Sequence, residues 1–195
     1  VDYDHQRKLR EERVAVHINN VSESNIEEWI SRVELYLETD SRDLATFPEL
    51  FKFVQAISNH FPNEFLYRFE RATGLKKSAI AIFEGVWKSS QQIEFLNKVE
   101  IWIDEGQYLS VLSVAFLSFN GIRFELIDKL VNSSIAFEDL HSLSLCVRLL
   151  NERRENLTSE STNLLLGRIF TFLNKKRSTE WINYIWFARK GPSFI

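Results

Sequence analysis

Glu138 and His141 lie three residues apart in Glu138-Asp139-Leu140-His141. On a helix, that interval puts a carboxylate and an imidazole on successive turns of one face. Di-iron bundles use it, but they also need a second Glu-x-x-His and two further inward glutamates. His5, His17 and His60 have Asp2, Val14 and Ile57 at the matching position, so the second half is missing. Neither a metal nor another cofactor is expected. Adjacent acids such as Glu11-Glu12, Glu27-Glu28 and Asp104-Glu105 point about 100° apart on a helix and form no facing acid/base pair. Phosphate-cradling glycine loops, nucleophile elbows, His-Glu-x-x-His and Cys-x-x-Cys do not occur. The lone Cys146 sits among apolar neighbours in Leu143-Ser144-Leu145-Cys146-Val147 and is expected to behave as a small buried hydrophobe. A catalytic role for this chain is not expected.

Binding chemistry has better candidates. Arg148, Arg153 and Arg154 fall near the end of one apolar-periodic segment, and Lys175, Lys176 and Arg177 near the end of the next. Brought together in space, they would form a positive rim for phosphates or for an acidic partner. Each cluster equally suits a helix C-terminus, where cations offset the macrodipole, and that role is preferred. Trp181, Tyr184 and Trp186, followed by Arg189 and Lys190, could stack on single-stranded nucleic acid. Sealing a helical core or docking the next part of a longer protein is favoured for them. The net charge of −3, from 24 basic and 27 acidic residues, points away from a nucleic-acid footprint over the whole chain.

These side chains must be positioned by helices. Six Gly and three Pro in 195 residues leave little turn chemistry for many short strands. Apolar residues recur at three- and four-residue intervals between short polar breaks, which predicts an all-α fold of about eleven helices. Ser24 and Glu27 have the spacing of a capping box, Pro48 and Pro62 suit first helical turns, and Gly74 suits a left-handed cap. Ser178 is placed to cap the last helix, which Gly191-Pro192 would end. Gly85 lies inside an apolar segment, where glycine costs about 1 kcal/mol relative to alanine, so close approach of a neighbouring helix is expected.

The run Tyr108–Phe119 has nine apolar residues out of twelve, the others being Ser110, Ser113 and Ser118. It falls short of the roughly 18 apolar residues that span a membrane. It is read instead as one central helix that follows a tight turn at Gly106-Gln107, with Leu112, Ala115, Phe116 and Phe119 buried. Its serines share an arc of roughly 140°, either a close-packing face or a view of solvent.

Residues 30–38, Ile-Ser-Arg-Val-Glu-Leu-Tyr-Leu-Glu, match 96–104, Leu-Asn-Lys-Val-Glu-Ile-Trp-Ile-Asp, class for class. A looser echo joins 181–191 to 96–106. The offsets of 66 and 85 residues are near twice the length of a common helical-hairpin repeat. With the helix lengths and short breaks from Ser24 to Lys190, these echoes resemble the HEAT/armadillo-like superfamily of α-solenoids. The resemblance implies a curved stack of helix pairs whose surface binds other macromolecules.

The expected architecture is a single domain over 1–195, a right-handed stack of antiparallel helix hairpins, with an irregular compact bundle as the alternative. The expected function is a non-catalytic scaffold module in the cytoplasm. It would bind a protein partner, or an adjacent domain of its own chain, through Arg148, Arg153, Arg154, Lys175, Lys176, Arg177, Trp181 and Trp186. Nucleic-acid binding through the basic rim is the alternative, and an enzyme with dispersed site residues ranks last. A chain that starts at Val1 without a methionine is either a piece of a longer protein or one whose modified methionines are left unwritten.

Overall fold

The computed structural model describes residues 3–38, 48–153 and 158–186. Eleven α-helices run through them: α1 Tyr3–Asn19, α2 Ile26–Leu37, α3 Pro48–His60, α4 Pro62–Arg71, α5 Ala79–Trp87, α6 Gln92–Asp104, α7 Leu109–Ala115, α8 Phe124–Ala136, α9 Leu140–Glu152, α10 Ser159–Lys175 and α11 Trp181–Trp186. A 3-10 turn, Gly74–Ser78, precedes α5, and no strand occurs among the described residues. The fold is all-α. No helix among those residues is long and apolar enough to cross a membrane.

The chain divides into two compact units, Val1–Phe95 and Leu96–Ile195, with the boundary inside α6. Within each unit, helices pack on the second helix along as well as on neighbours in sequence. The first unit pairs α1 with α3, α2 with α4 and α3 with α5, and the second pairs α7 with α9, α8 with α10 and α9 with α11.

The first unit is closed by aromatic packing and by one close crossing. Phe69 meets Phe83 edge-on at 5.1 Å between centroids, and Phe83 meets Phe95 at 5.4 Å. All three rings are fully buried. Gly85 lies where α5 crosses α3: a Cβ built there would stand 2.0 Å from Ser58 Oγ and 2.3 Å from the Gln55 carbonyl oxygen. The close approach expected at Gly85 is therefore present, and it brings two backbones nearer than any side chain permits. Arg68 donates to both carboxylate oxygens of Glu34, which ties α4 to α2. The charged α1 rides on α3 through Arg10–Glu49 at 3.0 Å and Lys52–Glu11 at 2.7 Å.

Some of the local signals held. Pro48 and Pro62 each open a helix. The Ser24–Glu27 box does not form: the residue before α2 is Asn25, whose Oδ1 accepts from the Ser22 amide while its Nδ2 donates to the Asn20 carbonyl. Gly74 is no left-handed cap either. Helix α4 ends through an extended Ala72, and Gly74 begins the 3-10 turn. The Ser178 amide closes the end of α10 on the Leu173 carbonyl, so this residue completes one helix before the next begins. Gly191-Pro192 lies outside the described residues.

In the second unit, α6 ends in a left-handed cap at Gly106 (φ 71°): the Gly106 amide bonds the Ile103 carbonyl and the Gln107 amide the Trp102 carbonyl. The Phe137 ring lies 2.7 Å from where a Gly106 Cβ would be. The same pair of bonds ends α8 at Glu138 (φ 56°) and α10 at Arg177 (φ 54°), with no glycine at either position.

The apolar run forms a shorter helix than its composition implies. Helix α7 covers seven residues, Leu109–Ala115, after Tyr108 in a left-handed conformation (φ 55°). The Phe116 amide still reaches Leu112, but those of Leu117 and Ser118 reach back only three residues, to Val114 and Ala115, tightening and ending the helix. Leu112, Ala115, Phe116 and Phe119 are all fully buried, as expected.

Ser113 shows what the serine arc does. It is fully buried and meets Ser142 Oγ at 3.0 Å and Cys146 Sγ at 3.4 Å, while Ser142 Oγ lies 2.8 Å from Ser134 Oγ. Ser134 Oγ in turn donates to the Leu130 carbonyl. Ser113 Oγ also donates to the Leu109 carbonyl at 2.8 Å, so the three hydroxyls and the thiol form one buried network that links α7, α8 and α9.

Burial pushes the Cys146 thiol from 9.0 up to about 12, although both serine contacts act the other way. The native state therefore keeps a proton that the unfolded chain releases above pH 9.0. The contribution is complete below that value and is lost as pH rises towards 12, by about 1.4 kcal/mol per pH unit. Urea unfolding at about pH 8 and about pH 10.5 should show the native protein losing about 2 kcal/mol more than a Cys146→Ala variant. Equal losses in the two proteins would mean the thiol is solvated.

Candidate functional site

The basic residues meet different surroundings. Helix α9 carries Arg148 half-buried, its Nε donating to Glu152 one turn on at 2.7 Å. Its charge acts on Tyr184 of α11. Arg153, just past α9, turns inward and is only 9% exposed. Its Nη2 donates to the carbonyls of Leu117 (3.1 Å) and Phe119, and burial holds its pKa below the usual guanidinium value. An arginine so placed cannot present its head to a partner, a departure from the expected rim. Arg154 lies outside the described residues.

At the other cluster, Lys176 pairs with Glu138 Oε2 at 2.6 Å and lies 5.6 Å from the Phe172 ring. Arg177 supplies the left-handed residue that ends α10, and Lys175 is exposed on its last turn. Among the described residues, no carboxylate pairs with Lys175 or Arg177.

Glu138 and His141 are not aimed at a common point. Glu138 occupies the left-handed cap of α8 and turns to Lys176, whereas His141 opens α9 and bonds Glu180 Oε1 through Nδ1. Among the described residues, no group of three or more His, Cys, Asp or Glu side chains could hold a metal ion. The Tyr184 hydroxyl lies 3.4 Å from His141 Nδ1 and 3.5 Å from Glu180 Oε1. Burial first, and then the Glu180 charge, holds that phenol above its ordinary pKa of 10.0. The cluster docks α11 on α9. Beside it, Trp181 packs edge-on against Phe170 at 4.9 Å, a structural contact of the kind preferred for the aromatic end. The Trp186 side chain lies outside what the structure describes.

A feature that sequence reading missed is a groove of about 660 Å³ between α8 and α10. Asn132 and Ile135 line it from α8; Leu164, Gly167, Arg168, Thr171, Phe172 and Lys175 line it from α10. Leu164 is 59% exposed, and Arg168 is held to Asp128 at 2.6 Å. Helix α10 thus carries two stripes. Thr162, Leu165, Leu166, Ile169 and Leu173 face the core, while 164, 167/168, 171 and 175 repeat the same interval on the open side. That second spacing was the available signal, hidden because glycine, threonine and arginine do not score as apolar.

No protein-family model, curated protein or solved structure matches the chain.

Proposed function

We propose that this chain is a non-catalytic interaction module that binds a protein partner on its helical surface, working in the cytoplasm. The observation that carries the reading is the open groove between α8 and α10, whose apolar lining is the exposed Leu164 with half-buried Ile135 and Phe172. Concave, mostly apolar surfaces with a few polar groups are where proteins take up ligands and partner segments. A stack of helix hairpins similar to HEAT/armadillo repeats is the architecture proposed for it. Packing of α2 on α4, α3 on α5, α7 on α9 and α8 on α10 supports that proposal.

The 30–38 and 96–104 echo adds support. Val33 and Val99 are both buried, as are Leu37 and Ile103, while Leu35 and Ile101 are both exposed. The copies differ at Tyr36, which is exposed, and Trp102, which is buried.

Nucleic-acid binding through the basic rim draws less support, because Arg148 and Lys176 are neutralised by acids and Arg153 is buried. The test is photo-crosslinking from benzoylphenylalanine placed in turn at exposed positions of the full chain, such as Tyr67, Ile93 and Leu164, in cells that carry it. Discrete protein adducts whose identity depends on the probe's position are expected. Adducts made mainly of nucleic acid, or none above a position-independent background, would overturn the reading.

A further inference from the structure

We infer that the α8–α10 groove docks an amphipathic helical segment of a protein partner, with its apolar side chains on the groove floor and its carboxylates towards Lys175. The inference rests on the interaction-module reading and names the surface and the chemistry of the occupant.

The first observation is a glycine without an internal reason. Gly85 and Gly106 are each required by a neighbour that leaves no room for a Cβ. A Cβ at Gly167 would meet nothing within 4 Å, and the residue has no left-handed backbone to explain it. An exposed glycine in a helix interior gives up stability that alanine would restore. It also lowers the groove floor between Leu164 and Thr171, where an approaching helix would come closest.

Charge selects the occupant. Arg168, on the groove wall, and Lys176, next in sequence to Lys175, are already matched by Asp128 and Glu138. Lys175 lines the groove, Arg177 lies exposed two residues further along the chain, and neither is paired with a carboxylate among the described residues. Two cations in excess outweigh the partial negative charge at the end of α10. An apolar floor of Ile135, Leu164 and Phe172 running towards excess positive charge complements a helix with apolar anchors on one stripe and acidic residues at one end. With no open strand edge among the described residues, helix-in-groove docking is the mode this surface offers. A volume of about 660 Å³ lies within the range of ligand-sized clefts, roughly 300–1,000 Å³.

The test is selection of a phage-displayed library of random 16-residue peptides on the full chain. Binding of each selected peptide is then measured to the unaltered protein, to Gly167→Leu and to Lys175→Glu. A leucine Cβ at 167 meets no atom within 4 Å, the rest of its side chain takes up groove space, and leucine is a better helix former than glycine. Thermal unfolding checks that both variants stay folded. The expected result is a family of net-acidic peptides with apolar residues at i, i+3 or i+4, and i+7. They should lose at least about tenfold in affinity with Gly167→Leu and about three- to tenfold with Lys175→Glu. Binders indifferent to Gly167→Leu, or net-basic binders in the groove, would overturn the groove assignment and leave the interaction module standing. Recovery of no binders would count against both.

Discussion

Gly85→Ala should lower the stability of the first unit by about 2 kcal/mol, although alanine is the better helix former. Overpacking a tight contact costs about 1–3 kcal/mol. The upper end applies here because the new methyl group would stand 2.3 Å from the Gln55 carbonyl oxygen, which cannot rotate away as a side chain can. Helix propensity returns about 1 kcal/mol. Denaturant unfolding gives the measurement, and Ser58→Ala supplies the control. Removing Ser58 Oγ clears the 2.0 Å clash and leaves the carbonyl in place, so Gly85→Ala with Ser58→Ala should recover less than half of the loss. A neutral or stabilising Gly85→Ala would mean that α3 and α5 do not cross this closely.

Arg153→Met should cost a similar amount, about 2–3 kcal/mol, while Arg148→Met should stay within about 0.5 kcal/mol. Both residues belong to one cluster in sequence, and their surroundings separate them. The Arg148–Glu152 pair is partly exposed, and pairs of that kind contribute little because water screens them. Arg153 is buried, and its Nη2 bonds the carbonyls of Leu117 and Phe119 just after α7 ends. Bonds to a charged donor are worth about 1.5–3 kcal/mol each, and removing the donor strands two acceptors. Desolvating the guanidinium, which lowers its pKa, offsets part of that. Arg153→Lys should retain only part of the stability, since an ammonium lacks the planar fork. Amide hydrogen exchange provides the local readout: protection at residues 116–121 should fall in Arg153→Met and stay unchanged in Arg148→Met. The opposite ranking of the two arginines would refute the inward placement.

The two arginines also mark how far the sequence could be read. Three-and-four spacing placed Arg148 and Arg153 near a helix end, and both lie there. Whether each faces water depends on Glu152 for one and on α7 for the other, some 35 residues earlier in the chain. The apolar run shows the same division. Its composition implied that Leu112, Phe116 and Phe119 are buried, and they are. Its length as a helix was not legible, because α7 stops where the Leu117 and Phe119 carbonyls turn to Arg153. The Ser24–Glu27 box failed for a different, local reason: Asn25 takes up the nearby backbone groups of Asn20 and Ser22.

By itself the sequence determined the helical class, the proline-led starts of α3 and α4, the close approach at Gly85 and the burial of Cys146. Each follows from a local preference or from a composition that leaves one low-energy choice. Tertiary structure alone decided that Ser113, Ser134, Ser142 and Cys146 share one buried network of hydrogen bonds. It also decided that Glu138 and His141 part company, and that Lys175 borders an open groove while Arg153 is withdrawn. Those outcomes depend on which helix lies opposite. Side-chain pairing and burial are set across the space between helices, where spacing along the chain carries little information.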